Sequence, residues 1–129
     1  MTVGEIDSDE LAALLDAEAP LRIVDVRPAG HFARGHLPGS QNLPLPELPR
    51  RVAELADAER VVTVCPHGHD SLRAARLIDS FDGIDADVPV ESLAGGLTAW
   101  EGELVAGGDG GGAGQGETDG ESDGPAAPF

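Results

Sequence analysis

A chain of 129 residues suits one domain with room for a core, and it carries 24 acidic against 8 basic residues, a formal net charge of −16. Every base is an arginine. Such a surface repels nucleic acid and anionic membrane, so neither is expected as a partner, and the single cysteine excludes an internal disulfide framework.

The N-terminus lacks a basic stretch followed by an apolar core, and no run approaches the roughly eighteen apolar residues of a span. Neither a signal peptide nor a membrane span is expected. Asp7 opens the first helix, predicted over residues 8–17: Glu10 completes a capping box, Ile6 can staple to Leu11, and Leu11, Leu14 and Leu15 face inward. A strand follows over residues 21–26. Asp25 inside it needs a partner if buried, and Arg27, Arg34 or backbone donors of the next turn are the candidates. The Asp25 and Arg27 pair is read as holding a loop rather than doing chemistry.

From Pro28 three glycines and three prolines surround Phe32, the composition of a short helix and tight turns. His31 and His36 lie in this stretch without a second cysteine to complete a metal site, so both are read as structural and no metal is expected. Asn42 and Leu43 suggest a short strand cut off by Pro44. Residues 47–56 read as a second amphipathic helix, with Pro49 in its first turn and Leu48, Val52 and Leu55 inward.

Val61, Val62, Thr63 and Val64 have the character of a central parallel strand covered on both faces, and Cys65 stands at its carboxyl end. Residues 71–80 turn helical, with Leu72, Ala75, Leu77 and Ile78 as the apolar stripe. Cys65, Pro66, His67, Gly68, His69 and Asp70 then form a strand-to-helix loop, the place where open parallel sheets bind ligands. A loop curling ahead of a helix aims backbone N–H groups and the positive helix end at one point, which stabilises a thiolate and makes it a nucleophile. Gly68 permits the left-handed conformation such a wrap needs. The alternative is an inert cysteine that fills space, and the loop by itself does not choose between them. Residues 88–93 read as a further strand, edge-like because of Pro89, and Gly95 and Gly96 mark a bend before a short last helix whose Trp100 packs on the sheet. Residues 107–129 hold 9 of the 18 glycines and five acids without a base, and are read as a disordered acidic tail behind a folded body of residues 1–106.

Three stretches, residues 23–45 (IVDVRPAGHFARGHLPGSQNLPL), 65–71 (CPHGHDS) and 94–100 (AGGLTAW), together resemble the rhodanese-like domain, in order and at normal spacing across residues 5–104. The resemblance implies an α/β fold of three layers, a central, mostly parallel sheet of about five strands flanked by helices. It also implies a sulfurtransferase that carries sulfur as a persulfide on Cys65, needs no cofactor, and uses the loop from Pro66 to Ser71 to bind its donor. That donor is thiosulfate, polysulfide or a persulfide-bearing protein, and the acceptor a thiol, cyanide or an acceptor protein.

Within the family's loop pattern Cys65, Gly68 and Ser71 match, whereas Pro66 stands where arginine is common and Asp70 where arginine or threonine is expected. A carboxylate near the sulfur disfavours a thiolate and weakens thiosulfate binding. Asp70 can instead turn outward and cap the helix beginning near Ser71. His67 and His69 either offset that charge when protonated and hold an anionic donor, or face solvent. A catalytically silent binding or regulatory module of the same fold is the rival reading. A related phosphatase or arsenate reductase would need a longer loop closing on an arginine, which residues 65–71 lack. Strong acidity without lysine is similar to that of proteins from salt-loving archaea, where molar salt cuts the screening length to about 3 Å, and a halophilic protein is expected over the alternative, an acidic protein of a high-GC bacterium. The single cysteine fits a reducing cytosol, so a cytoplasmic location is expected.

Overall fold

A computed structural model describes residues 3–107 of the chain. Its centre is a five-stranded sheet in the order β1-β5-β4-β2-β3, formed by β1 (Gly4–Ile6), β2 (Arg22–Asp25), β3 (Gln41–Asn42), β4 (Val61–Val64) and β5 (Val90–Leu93). All four pairings are parallel. Burial on both faces explains why β4 reads as an uninterrupted apolar run, since each of its four residues is buried.

Helices cover both faces. On one side α1 (Ser8–Asp16) sends Leu11 into a cluster with Ile6, Ile23, Val62, Val64 and Leu93, against which Leu97 and Trp100 also pack. The capping box forms as expected: Glu10 N–H donates to Asp7 Oδ1 at 2.8 Å and Asp7 N–H to Glu10 Oε1 at 3.2 Å. On the other side α4 (His69–Asp79) and the segment of residues 45–55 enclose Val24, Val61, Ala74, Ala75 and Ile78. The short α2 (Ala29–Arg34) buries Phe32. The three-layer α/β architecture is therefore as anticipated.

Four details differ from the sequence reading. The strand holding Val90 is not an edge: β5 pairs with both β1 and β4. Pro89 precedes its first ladder residue and contributes a carbonyl, which accepts from Val61 N–H at 2.9 Å, so no ladder donor is lost. β1 has no counterpart in the sequence pattern. The helix expected over residues 47–56 is broken into a 3-10 turn (Leu45–Glu47), a single α-turn, α3 (Leu48–Arg51), and a second 3-10 turn (Val52–Leu55). The tighter 3-10 turns change the pitch of the segment without turning its apolar residues outward: Leu48, Val52 and Leu55 are all buried. The last helix is likewise one 3-10 turn, Gly96–Ala99, and Trp100 is half-buried with its indole N–H on Glu103 carbonyl at 3.2 Å.

Beyond that turn, His36 and Val105 exchange both backbone bonds at 2.8 Å, and Gly107 N–H reaches Ala33 carbonyl at 2.7 Å. The remainder of the acidic segment lies outside the described residues. Among the described residues no helix is long and apolar enough to cross a membrane.

Candidate active site

The parallel ladder of β4 ends at Val64 and delivers Cys65 to the carboxyl edge of the sheet, flanked by β2 and β5. The chain then turns sharply at Gly68, whose φ of +94° is the left-handed conformation expected of it. That turn lets α4 begin at His69, two residues earlier than the sequence suggests, with Gly68 as its N-cap. Its consequence is local and chemical: Gly68 N–H points back at Cys65 Sγ, 3.0 Å away. Ser71, buried in the first turn of α4, places Oγ 3.3 Å from the same sulfur.

The loop is held from behind. Cys65 carbonyl accepts from Leu97 N–H at 2.8 Å and Pro66 carbonyl from Thr98 N–H at 3.1 Å. Gly96, at φ +64°, allows this approach, because a Cβ there would sit 2.4 Å from Cys65 carbonyl oxygen. A Cβ on Gly68 would likewise come within 3.2 Å of Gly95 N. The 94–100 stretch thus acts as a backbone clamp on residues 65–66.

Cys65 is 2% exposed and touches the core layer under α4, while its sulfur takes the two polar contacts just given. His67, His69 and Asp70 are exposed around it and Pro66 is half-buried. Asp70 does not cap the helix. It lies in the first turn, where the positive helix end still favours its charge, and its carboxylate meets Arg73 of the next turn at 3.4 Å. Cys65, Pro66, His67, Gly68, His69, Asp70 and Ser71 are brought together as one loop and helix start.

Asp25, Arg27 and His36 form a second group at the end of β2. Asp25 is fully buried, and Arg27 grips it through its backbone N–H (3.0 Å), Nε (3.0 Å) and Nη2 (2.8 Å). The same Nη2 reaches Gly35 carbonyl at 2.6 Å, and Asn42 Nδ2 donates to the carbonyls of Asp25 (3.0 Å) and Arg27 (2.8 Å). His36 stacks on Phe32 with ring centroids 3.7 Å apart, and its Nδ1 lies 2.7 Å from Phe32 carbonyl. Burial is the largest influence on this imidazole and pushes its pKa below the ordinary value. The Phe32 carbonyl and Asp25 oppose that shift, while Arg27 adds to it. All of these bonds stay within the scaffold. Among the described residues no group of three or more His, Cys, Asp or Glu could hold a metal ion.

A family profile described as the rhodanese-like domain matches residues 7–103. The chain belongs to the rhodanese-like domain family. Among curated relatives, the adenylyltransferase and sulfurtransferase MOCS3 of Bos taurus is 31% identical over 108 residues, covering 70% of this chain and 24% of that protein. The chain thus spans about a quarter of the length of that relative. Among solved structures, a thiosulfate sulfurtransferase from Pseudomonas aeruginosa superposes with a TM-score of 0.71 at 29% identity, over 82% of this chain and 21% of that one. A rhodanese-like domain protein from Staphylococcus aureus gives 0.68 at 25% identity, over 81% and 98%.

Two contributors to this rhodanese-like site escape sequence reasoning. Ser92, on β5, places its Oγ 2.7 Å from that of Ser71, and Thr63, on β4, donates to Ser71 carbonyl at 2.6 Å. A lone hydroxyl residue in an apolar strand is the available signal for each, since a buried hydroxyl demands a partner. It does not say which.

Proposed function

We propose that this domain is a sulfurtransferase carrying sulfane sulfur as a persulfide on Cys65. The observation that carries the reading is Gly68 N–H standing 3.0 Å from Cys65 Sγ, at the N-terminus of α4. A sulfur there faces donors fixed in advance of any charge that develops on it. The names of its relatives, sulfurtransferases among them, support the same chemistry.

In the first step the Cys65 thiolate attacks the outer sulfur of the donor. A sulfur–sulfur bond to Cys65 forms, the donor's own sulfur–sulfur bond breaks, and sulfite leaves if the donor is thiosulfate, a thiolate if it is a protein persulfide, or a polysulfide one sulfur shorter if it is polysulfide. The backbone N–H groups of residues 67–71 stabilise the charge on the terminal sulfur. In the second step a thiolate or cyanide attacks that terminal sulfur and Cys65 leaves as thiolate. Asp25, Arg27 and His36 fix the neighbouring end of β2 and take no part in bond making. With Pro66 and Asp70 in place of basic residues, the loop favours a persulfide-bearing protein over the thiosulfate dianion. Mass spectrometry of protein treated with thiosulfate or polysulfide is expected to show one added sulfur, lost on reduction and absent from Cys65→Ala. No adduct with any donor ends this reading.

A silent binding module is favoured by one observation, the 2% exposure of Cys65. Persistent inertness of the native thiol toward small reagents would select it.

A further inference from the structure

Beneath Cys65 runs a line of buried hydroxyls of which the sulfur touches only the first. Ser71 and Ser92 are both 0% exposed, in a layer otherwise built from Val61, Val90, Ala74 and Ala75. Thr63, opposite Ser92 in the β4–β5 register, holds the Ser71 main chain through its carbonyl. The Ser71 side chain is left with two partners, Cys65 Sγ at 3.3 Å and Ser92 Oγ at 2.7 Å.

A hydroxyl has one proton to give. If Ser71 gives it to Ser92, the sulfur can approach Ser71 only as a donor and must itself be protonated. If Ser92 gives its proton to Ser71, the Ser71 proton is free to point at the sulfur, and an anion there is supported by two aligned hydroxyls that polarise one another. We propose that Ser92 is a positioning residue: by donating to Ser71 Oγ it turns the Ser71 hydroxyl proton onto Cys65 Sγ when that sulfur is anionic. The inference deepens the sulfur-transfer reading and rests on it for its purpose, but its geometry concerns the thiolate alone.

The chain's single cysteine makes alkylation by iodoacetamide a direct readout of Cys65 that needs no sulfur donor. Two shape-matched pairs isolate the hydroxyl: wild type against Ser92→Ala, and Ser92→Thr against Ser92→Val, so that a folding failure in one pair leaves the other to answer. At about pH 7 the member lacking the hydroxyl is expected to react roughly three- to tenfold more slowly than its partner. In a Ser71→Ala background the same removal is expected to change the rate less than about twofold, because the path to the sulfur is already cut. Thermal melting, followed in parallel, registers any purely structural loss. Equal rates within the folded pairs, or a Ser92 effect undiminished by Ser71→Ala, overturns the assignment. Failure of the wild type to take up sulfur would refute the sulfurtransferase reading while leaving the alkylation comparison intact.

Discussion

Gly96 and Cys65 are locked together by backbone alone: a Cβ on Gly96 would fall 2.4 Å from the carbonyl oxygen of Cys65 and 2.5 Å from that of Pro66. Neither obstacle is a flexible side-chain end, and the φ of +64° at Gly96 adds strain for any L side chain. Gly96→Ala is therefore expected to cost about 1–3 kcal/mol by urea unfolding and to lower sulfur loading of Cys65 in the fraction that remains folded. Gly30→Ala is the control, because a Cβ there meets nothing within 4 Å.

The Asp25–Arg27 pair makes the opposite kind of prediction, about charge rather than shape. Arg27→Met strands a fully buried carboxylate and is expected to cost about 3–5 kcal/mol. Adding Asp25→Asn should recover a substantial part of that loss, since the penalty comes mainly from the unpaired charge. Chemical denaturation of the two single variants and the double variant decides it: strictly additive losses would contradict the pairing.

Much of this architecture is legible from local chemistry. The Asp7–Glu10 capping box, the doubly buried β4 and the left-handed turn at Gly68 each rest on neighbours in sequence, and each forms. What escapes is pairing at a distance. Residues 4–6 show no period that marks a strand, and β1 exists because β5 offers it a ladder. Pro89 suggested an edge because the sequence does not reveal that its carbonyl, rather than a missing N–H, faces β4. Asp70 satisfied the composition of a cap, but Gly68 had already turned the chain into the helix. The family resemblance marks Gly95 and Gly96 as a motif, yet only the packed structure shows that Gly96 lies against the Cys65 carbonyl.

His36 gives stability a pH dependence whose sign can be worked out. Burial lowers its pKa in the folded chain below the ordinary 6.5. The unfolded chain therefore binds this proton more readily, and stability falls as pH drops through about 6.5 toward the lower folded value, levelling off below it. Above about pH 7.5 the group contributes no slope. Urea midpoints measured from about pH 8 to pH 5 should decline over that window in wild type, and His36→Gln should remove part of the decline. Identical slopes would assign the pH dependence to the carboxylates instead.

The enclosure of Cys65 predicts selection by size. With the residue 2% exposed and His67 and His69 standing exposed around it, a small reagent such as methyl methanethiosulfonate should reach the sulfur far more readily than the bulky 5,5′-dithiobis(2-nitrobenzoate). Relative to a free thiol such as glutathione, the bulky reagent is expected to be slowed by at least about tenfold more than the small one. If both react only as fast as the protein unfolds, the thiol is inert in the native state and the silent-module reading replaces the enzyme.

Asp70 tests how the loop chooses its donor. Its carboxylate is half-exposed and, among the described residues, is held by a 3.4 Å contact to Arg73, so the side chain can be exchanged without breaking the sulfur's own contacts to Gly68 and Ser71. Asp70→Asn removes a negative charge beside the incoming donor, and Asp70→Arg then adds a positive one at a position where the family pattern places arginine or threonine. For thiosulfate, a dianion, kcat/KM should rise in the order Asp, Asn, Arg, by roughly five- to tenfold overall at low ionic strength, and the gain should shrink as salt screens the loop. The arginine opposes the positive end of α4 and replaces the contact to Arg73 with a like charge, which lowers stability but not the attraction for the donor. A flat series would mean that loop charge does not set donor preference and that access to Cys65 governs it instead.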